Sequence, residues 1–360
     1  MLFTLDLVKF AINILLLEMT KNLVHILFIC AIAVSCKTDV DISADWENIP
    51  VVYSILDPSD TIHYIRINRV FSGNESAYVM AMQPDSLVYK DTLDVKIKVK
   101  DEYNNLIKTI VFNRTDIEKD SVNSSGNVVF SNQKHHVYFS KQALPKEKNF
   151  TYELNIKLPD GKVVTSTCNP LVGFVQTNPG IGEKYDLILD RSFGPSFKLP
   201  RYSAGVKINI YFHYYEFTDK INYTRKTMMF PIQMERQKGE VETTMRLRSN
   251  EIFDHIKAEL KPPEFGERRF VGKVDYEYVI ADENYAEQIW KRVGGFNYET
   301  PPITNIIGGY GLFACRSHFT LRGYKPTDNT KCLFATNPEL AYLGFQKAIF
   351  YATYGIDSLP

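Results

Sequence analysis

Short runs in which hydrophobic and polar residues alternate fill the chain from residue 49 to residue 167. A period of two places successive side chains on opposite faces of a strand, and in the run 93–100 it puts apolar side chains on one face and lysines on the other. Turn residues separate the runs, and Asp160-Gly161 is typical of a β-hairpin. The predicted strands are 51–56, 64–70, 93–100, 107–112, 128–130, 136–140, 152–157 and 162–167. Roughly seven strands at this spacing predict an immunoglobulin-like or fibronectin-like β-sandwich.

The pattern changes after Cys168, where residues 169–180 are typical of a connection between two units. Helical periodicity then alternates with strand periodicity. A serine N-cap predicts one helix that starts at Ser249, and Asp282 is predicted to cap a second. The predicted strands here are 206–217, 227–234, 242–247 and 269–280, and the predicted helices are 249–260 and 282–292. The fold class is therefore mainly β, with a sandwich at 48–172 and a second β-rich domain with two short helices at 173–360.

Residues 1–35 are predicted to be a signal peptide. The apolar stretch 23–34 follows the basic residue Lys21, and it is too short to cross a hydrocarbon core of about 30 Å as a helix. Translation is expected to start at Met19, since residues 1–18 carry charges that export signals lack. One alternative is a single hydrophobic anchor over residues 11–34, which the charged residues within it disfavour.

The sequence Ala33-Val34-Ser35-Cys36 is similar to a lipobox, in which the cysteine thiol is lipidated and becomes the first residue of the mature protein. Ala33 stands where such motifs usually have leucine. The alternative is a plain secretory peptide with an incidental cysteine. Residues 36–47 form a polar tether whose three aspartates, Asp39, Asp41 and Asp45, lack the glycine and glutamate of a calcium-binding loop.

Composition restricts the partners of this chain. The 42 lysine and arginine residues balance 42 aspartate and glutamate residues, so there is no electrostatic reason to expect nucleic acid. No cofactor or metal is predicted.

Three cysteines follow Cys36. In an oxidising compartment Cys315 and Cys332 are the candidate disulfide, bridging a strand pair, with Cys168 as a buried free thiol, although sequence does not fix the pairing.

Other groups of residues favour structure over chemistry. The glycines of residues 307–313 lack the Lys-Ser/Thr of a phosphate-binding loop and predict a tight turn or bulge. Adjacent strand histidines, His135 and His136, point to opposite faces and are poor joint metal ligands. Four aromatic residues that are candidates for a sugar-binding platform are more typical of a core: Tyr211, Tyr215, Trp290 and Tyr298. No catalytic residue is assigned.

Two segments, taken with Cys36, resemble a family of uncharacterised Bacteroidota outer-membrane lipoproteins. The first is residues 49–71, IPVVYSILDPSDTIHYIRINRVF, and the second is residues 304–313, TNIIGGYGLF. Ser54 stands where the family usually has glycine, and Tyr310 where it usually has leucine. The resemblance implies a surface-exposed outer-membrane lipoprotein, often encoded near TonB-dependent transporters, and implies no catalytic or ligand-binding residues. A structural interpretation also holds, in which Asp57 starts a turn and the glycines bend a strand.

The sequence therefore predicts a non-enzymatic lipoprotein, anchored through lipid on Cys36 to the outer membrane and facing the cell exterior. It is expected to be an accessory or ligand-binding partner of a TonB-dependent β-barrel transporter. A structural or adhesive surface module is one alternative, and an extracellular hydrolase is another. The fold class alone does not decide among the three.

Overall fold

The computed structural model describes residues 48–70, 87–118, 134–189, 191–236, 239–293 and 304–359. They belong to one compact unit, Glu47–Phe71 with Glu75–Pro360. The predicted signal peptide 1–35, the tether 36–47 and the predicted strand 128–130 lie outside the described residues. The mainly β class predicted from the sequence is confirmed, whereas the division into domains at residues 172 and 173 stays a prediction.

The strands are β1 Pro50–Leu56, β2 His63–Arg69, β3 Asp94–Lys100, β4 Leu106–Glu118, β5 Lys134–Ser140, β6 Thr151–Lys157, β7 Val163–Cys168, β8 Val175–Asn178, β9 Lys184–Tyr185, β10 Ser192–Phe193, β11 Ser196–Lys198, β12 Ser203–Phe217, β13 Tyr223–Arg236, β14 Glu242–Thr244, β15 Leu247–Arg248, β16 Arg268–Asp282 and β17 Tyr310–Pro326. The helices are α1 Ser249–Glu259, α2 Glu283–Val293 and α3 Asp328–Thr336, with short 3-10 turns at Ala341–Leu343, Ala348–Phe350 and Ile356–Ser358.

The first seven strands pair in the order β1-β2-β5-β4-β3-β6-β7, all antiparallel. This is the strand order of an immunoglobulin constant-type sandwich. β4 serves both sheets, because residues 106–112 pair with β3 and residues 113–118 pair with β5. Apolar residues on the inner faces, such as Ile65, Ile97 and Leu154, are fully buried in one core, as the alternation in the sequence predicts.

Strand β17 joins this sandwich to the rest of the chain. Its first residues pair in parallel with β1, from Val51 with Tyr310 to Leu56 with Cys315, and its later residues pair antiparallel with β16. Ile307, just before β17, pairs with Thr165 of β7. One segment near the end of the described chain therefore borders both the first and the last strand of the sandwich.

Beyond β17 the large sheet continues as β16, β12 and β13. One face of these long strands carries buried apolar residues, and α1 and α3 supply side chains to the same core. The ring of Phe334 on α3, for example, stacks on Phe212 of β12 with centroids 5.4 Å apart. The opposite face of β12 and β16 carries polar residues, which places chemistry-bearing side chains on one side of a rigid sheet.

Local signals placed most of the long elements within a few residues. The sequence assigned no strand to residues 310–326 and no helix to residues 328–336, where β17 and α3 lie, and it also missed the short strands β8 to β11. The predicted cap of α2 is confirmed, since Asp282 Oδ1 accepts the amide hydrogen of Tyr285 at 2.8 Å. The predicted Ser249 cap is corrected to Arg248, because Ser249 is already helical and Glu251 accepts the Arg248 amide hydrogen.

Candidate functional site

Seven polar residues meet on the face of the β13-β12-β16-β17 sheet opposite the core that α1 and α3 share, and we call this group the carboxylate face. Strand parity explains the grouping, since residues two apart on a strand share a side. In register, Asn209 lies opposite Glu277, Tyr211 opposite Asp275, and His213 opposite Thr227. The members are Asn209, Tyr211, His213, Thr227, Asp275, Glu277 and His318.

Glu277 is the centre of the carboxylate face. Its Oε2 accepts hydrogen bonds from Asn209 Nδ2 and from the Tyr211 hydroxyl, each at 2.7 Å. Its Oε1 lies 2.9 Å from His318 Nε2. The hydrogen bond from Asn209, followed by those from Tyr211 and His318, lowers the pKa of Glu277 to about 2, against the opposing effect of partial burial. Glu277 is therefore an ionised acceptor across the physiological range.

His213 and Asp275 form a second, more enclosed pair. His213 Nε2 lies 3.0 Å from Asp275 Oδ2, and His213 Nδ1 lies 2.8 Å from the Thr227 hydroxyl. Burial lowers the pKa of His213, and the hydrogen bond with Asp275 opposes this shift only in part. A neutral imidazole has one donor and one acceptor. One ring nitrogen contacts the Asp275 carboxylate and the other the Thr227 hydroxyl, so both ring nitrogens are engaged.

The carboxylate face has one buried atom without a hydrogen-bond partner and one side chain that is open to solvent. Asn209 Oδ1 is buried and has no hydrogen-bond partner among the described residues, which is costly unless a donor reaches it. The His318 side chain is 45% exposed. Its Nε2 lies against Glu277 Oε1, so Nδ1 is the ring nitrogen left for another contact. The face therefore offers the exposed His318 ring and the adjacent Glu277 carboxylate to a polar ligand.

The carboxylate face is poorly suited to proton transfer. An efficient general base has a pKa near the working pH, whereas hydrogen bonds hold the pKa of Glu277 at about 2. His213 is buried and engaged at both nitrogens. The hydrogen bonds of these side chains run to one another and not to a group that exchanges protons. The arrangement therefore favours binding of a ligand over catalysis.

Two open polar grooves lie elsewhere on the described surface. One, of about 420 Å³, includes Lys100, Glu153 and Arg201, and the other, of about 540 Å³, includes Arg191 and Arg246. In the described part of the chain, neither groove is lined by a buried polar atom that lacks a hydrogen-bond partner. They give a weaker reason than the carboxylate face to expect a bound ligand.

The two segments that carried the family resemblance touch each other in the structure. Segment 304–313 bends so that the Asn305 side chain bonds both backbone groups of Phe313, donating at 2.6 Å and accepting at 2.9 Å. Gly311, with φ of 118°, then lies against β1, where an added Cβ would be 1.9 Å from the Val52 carbonyl oxygen. The prediction of a bend at the glycines is confirmed. So is the turn at Asp57, whose carbonyl accepts the amide hydrogen of Asp60.

The four aromatic residues weighed as a sugar-binding platform, and judged more typical of a core, do not form a platform among the described side chains. Tyr211 contributes its hydroxyl to the carboxylate face, but Tyr215 is 1% exposed and packs in a separate aromatic cluster. The Trp290 side chain and Tyr298 lie outside the described part. Of the adjacent histidines, His136 pairs with Asp116 on the neighbouring strand at 2.5 Å, as expected for a surface pair. Cys36, Asp39, Asp41 and Asp45 also lie outside the described residues.

The cysteine prediction requires correction. Cys332 is exposed on α3, whereas Cys315 is buried with its Sγ 2.9 Å from Cys168 Sγ. The neighbour of Cys315 is therefore Cys168 and not Cys332. The sequence could not show this, because the contact depends on β17 lying beside the end of β7.

Strand alternation in the sequence places His213 and Tyr211 on one side of a strand, but it does not identify Asp275, Glu277 and His318. The alternation of residues 275–280 was the available signal, and only the strand register brings those acids beside β12. In the described ranges, no helix is long and apolar enough to cross a membrane. No family model matches the chain, and no curated protein matches it.

Proposed function

We propose that this protein is a non-enzymatic binding lipoprotein that works beside a TonB-dependent outer-membrane transporter, with the carboxylate face as its ligand-contact surface. The observation that carries the binding role is the set of hydrogen bonds on Glu277, which keeps a charged acceptor fixed and unprotonated. The lipobox-like end of the signal sequence supports the anchor. The resemblance of residues 49–71 and 304–313 to outer-membrane lipoproteins supports the location and the partner.

Ligand chemistry follows from the acceptors. The Glu277 carboxylate accepts hydrogen bonds, and the partly exposed His318 ring lies beside it. A neutral molecule with several hydroxyl groups, such as a saccharide, meets these requirements without burying an unpaired charge. Tyr211 adds an aromatic ring at the same place, which favours the apolar side of a sugar.

The first experiment is an affinity pull-down of the C-terminally tagged protein from detergent-solubilised outer membrane. A TonB-dependent barrel recovered in near-equal amount supports the proposal, and recovery of the lipoprotein alone contradicts the partnership. The Cys36→Ala variant is the anchor control. If this variant is still processed and stays in the membrane fraction, the lipid anchor is wrong.

A second experiment tests the surface. His318→Ala removes an exposed ring from the carboxylate face, and His136→Ala removes a matched histidine that also pairs with a strand carboxylate. We expect His318→Ala, and not His136→Ala, to weaken binding on a saccharide array. Equal binding by both variants would reject the carboxylate face as the contact surface.

A further inference from the structure

Two thiols that are far apart in sequence are adjacent in the core. Cys168 ends β7, and Cys315 lies in the part of β17 that pairs with β1. Their sulfur atoms are 2.9 Å apart across a separation of 147 residues, and both side chains are buried. The backbone of Cys315 is held by Asp282, whose Oδ2 accepts its amide hydrogen at 2.7 Å.

The geometry decides between a metal and a covalent bond. Asp282, Cys168 and Cys315 are close enough together to be considered as metal ligands. Two cysteines on one tetrahedral zinc, with Zn–S bonds of about 2.3 Å, hold their sulfurs roughly 3.7 Å apart. These sulfurs are closer than that, and both Asp282 oxygens already accept backbone hydrogen bonds. A bonded pair, at about 2.05 Å, needs an approach of only about 0.9 Å.

We propose that Cys168 and Cys315 form a structural disulfide that links β7 to β17. In forming it, the two thiols lose two protons and two electrons as one S–S bond is made. The electrons pass by thiol–disulfide exchange to an oxidised dithiol or to a small disulfide such as oxidised glutathione, whose own S–S bond breaks to give two thiols. Cys332, exposed on α3, stays outside the bond.

Burial determines when the bond forms. Exchange requires a thiolate that an incoming disulfide can reach, and in the folded chain both sulfurs are enclosed. Burial also raises the pKa of both thiols, which suppresses the reactive thiolate. The bond therefore closes while β17 is docking, and afterwards it is protected from reductants.

This inference goes beyond the proposed function and is tested separately from it. The purified full chain is reduced, unfolded in guanidinium, refolded with reduced and oxidised glutathione, alkylated and digested without reduction. Mass spectrometry is expected to find a linked peptide that contains Cys168 and Cys315, with Cys332 alkylated. A link that contains Cys332, alkylation of all three cysteines, or one retained zinc per chain after refolding with zinc would overturn the proposal.

A stability measurement provides a second readout on the same material. Protein refolded under reducing conditions is expected to have a thermal midpoint about 5–10 °C below that of protein refolded with glutathione, and the Cys332→Ser variant should show the same difference. An unchanged midpoint would count against a structural bond.

Alkylation of protein taken directly from cells tests export instead. Free Cys168 and Cys315 there, with a bond formed on refolding, would contradict the proposed location and leave the bond geometry standing.

Discussion

Replacing Glu277 by glutamine tests whether the carboxylate face is held by charge. Glutamine keeps the size of the side chain but removes the negative charge, and its NH₂ group faces one of the donors that now bond the carboxylate. Asn209, Tyr211 and His318 then share one acceptor oxygen in place of two. We expect a loss of folding stability at neutral pH, because hydrogen bonds to a charged group are about twice as strong as neutral ones.

The magnitude follows from the pKa of Glu277. A decrease from 4.5 to about 2, at about 1.36 kcal/mol per pH unit, corresponds to roughly 3 kcal/mol. The side chain is 23% exposed, so solvent screening reduces this to about 1.5 kcal/mol. Because the folded pKa is depressed, the stabilisation is complete above the unfolded value of 4.5 and is lost as the pH falls through about 2.

Urea unfolding of both proteins between pH 3 and pH 7 measures the effect. The Glu277→Gln variant should be less stable than the parent at pH 7, and the difference should shrink by about half towards pH 3. Glu153→Gln is the matched control, since Glu153 has similar exposure and accepts from the Lys100 ammonium. Its cost should stay below about 1 kcal/mol. A pH-independent difference for Glu277→Gln, or a loss no larger than that of Glu153→Gln, would refute the reasoning.

Three further predictions concern the scaffold. Gly311→Ala places a Cβ 1.9 Å from a β1 carbonyl oxygen and should lower the free energy of unfolding by more than about 3 kcal/mol. The control Gly161→Ala, at positive φ but in open space, should lower it by only about 1–2 kcal/mol. Thermal unfolding compares the two variants. Phe334→Ala, at a fully buried ring, should cost about 3–5 kcal/mol in urea unfolding, and Phe265→Ala, at an exposed ring, almost nothing. Burial raises the pKa of Asp282 to about 6 from 3.8. As the pH rises between these two values, the parent should therefore lose up to about 3 kcal/mol of folding stability relative to the Asp282→Asn variant. A stability difference between the two proteins that does not change with pH would contradict this.

The sequence predicted what depends on neighbours along the chain. Alternation placed β3 and β12 within a few residues, and the Asp282 cap located the start of α2. Strand β17 was missed because its glycines are typical of a turn, and its pairing with β1 is a contact between distant segments. The carboxylate face was missed for the same reason, since the position of Glu277 beside Asn209 is set by strand register. Periodicity reveals which face a residue occupies, not which strand lies next to it.

The position of β17 has a consequence for how the protein is made. A polypeptide leaves the ribosome N-terminus first, so β1 and β7 are synthesised long before residues 305–315, which pair with both. Until that segment is delivered, the nascent sandwich presents two unpaired strand edges, which are templates for aggregation. A premature stop codon anywhere before residue 304 would leave these edges open permanently. The strands that emerge first therefore gain their last neighbour only after residues 305–315 have been synthesised.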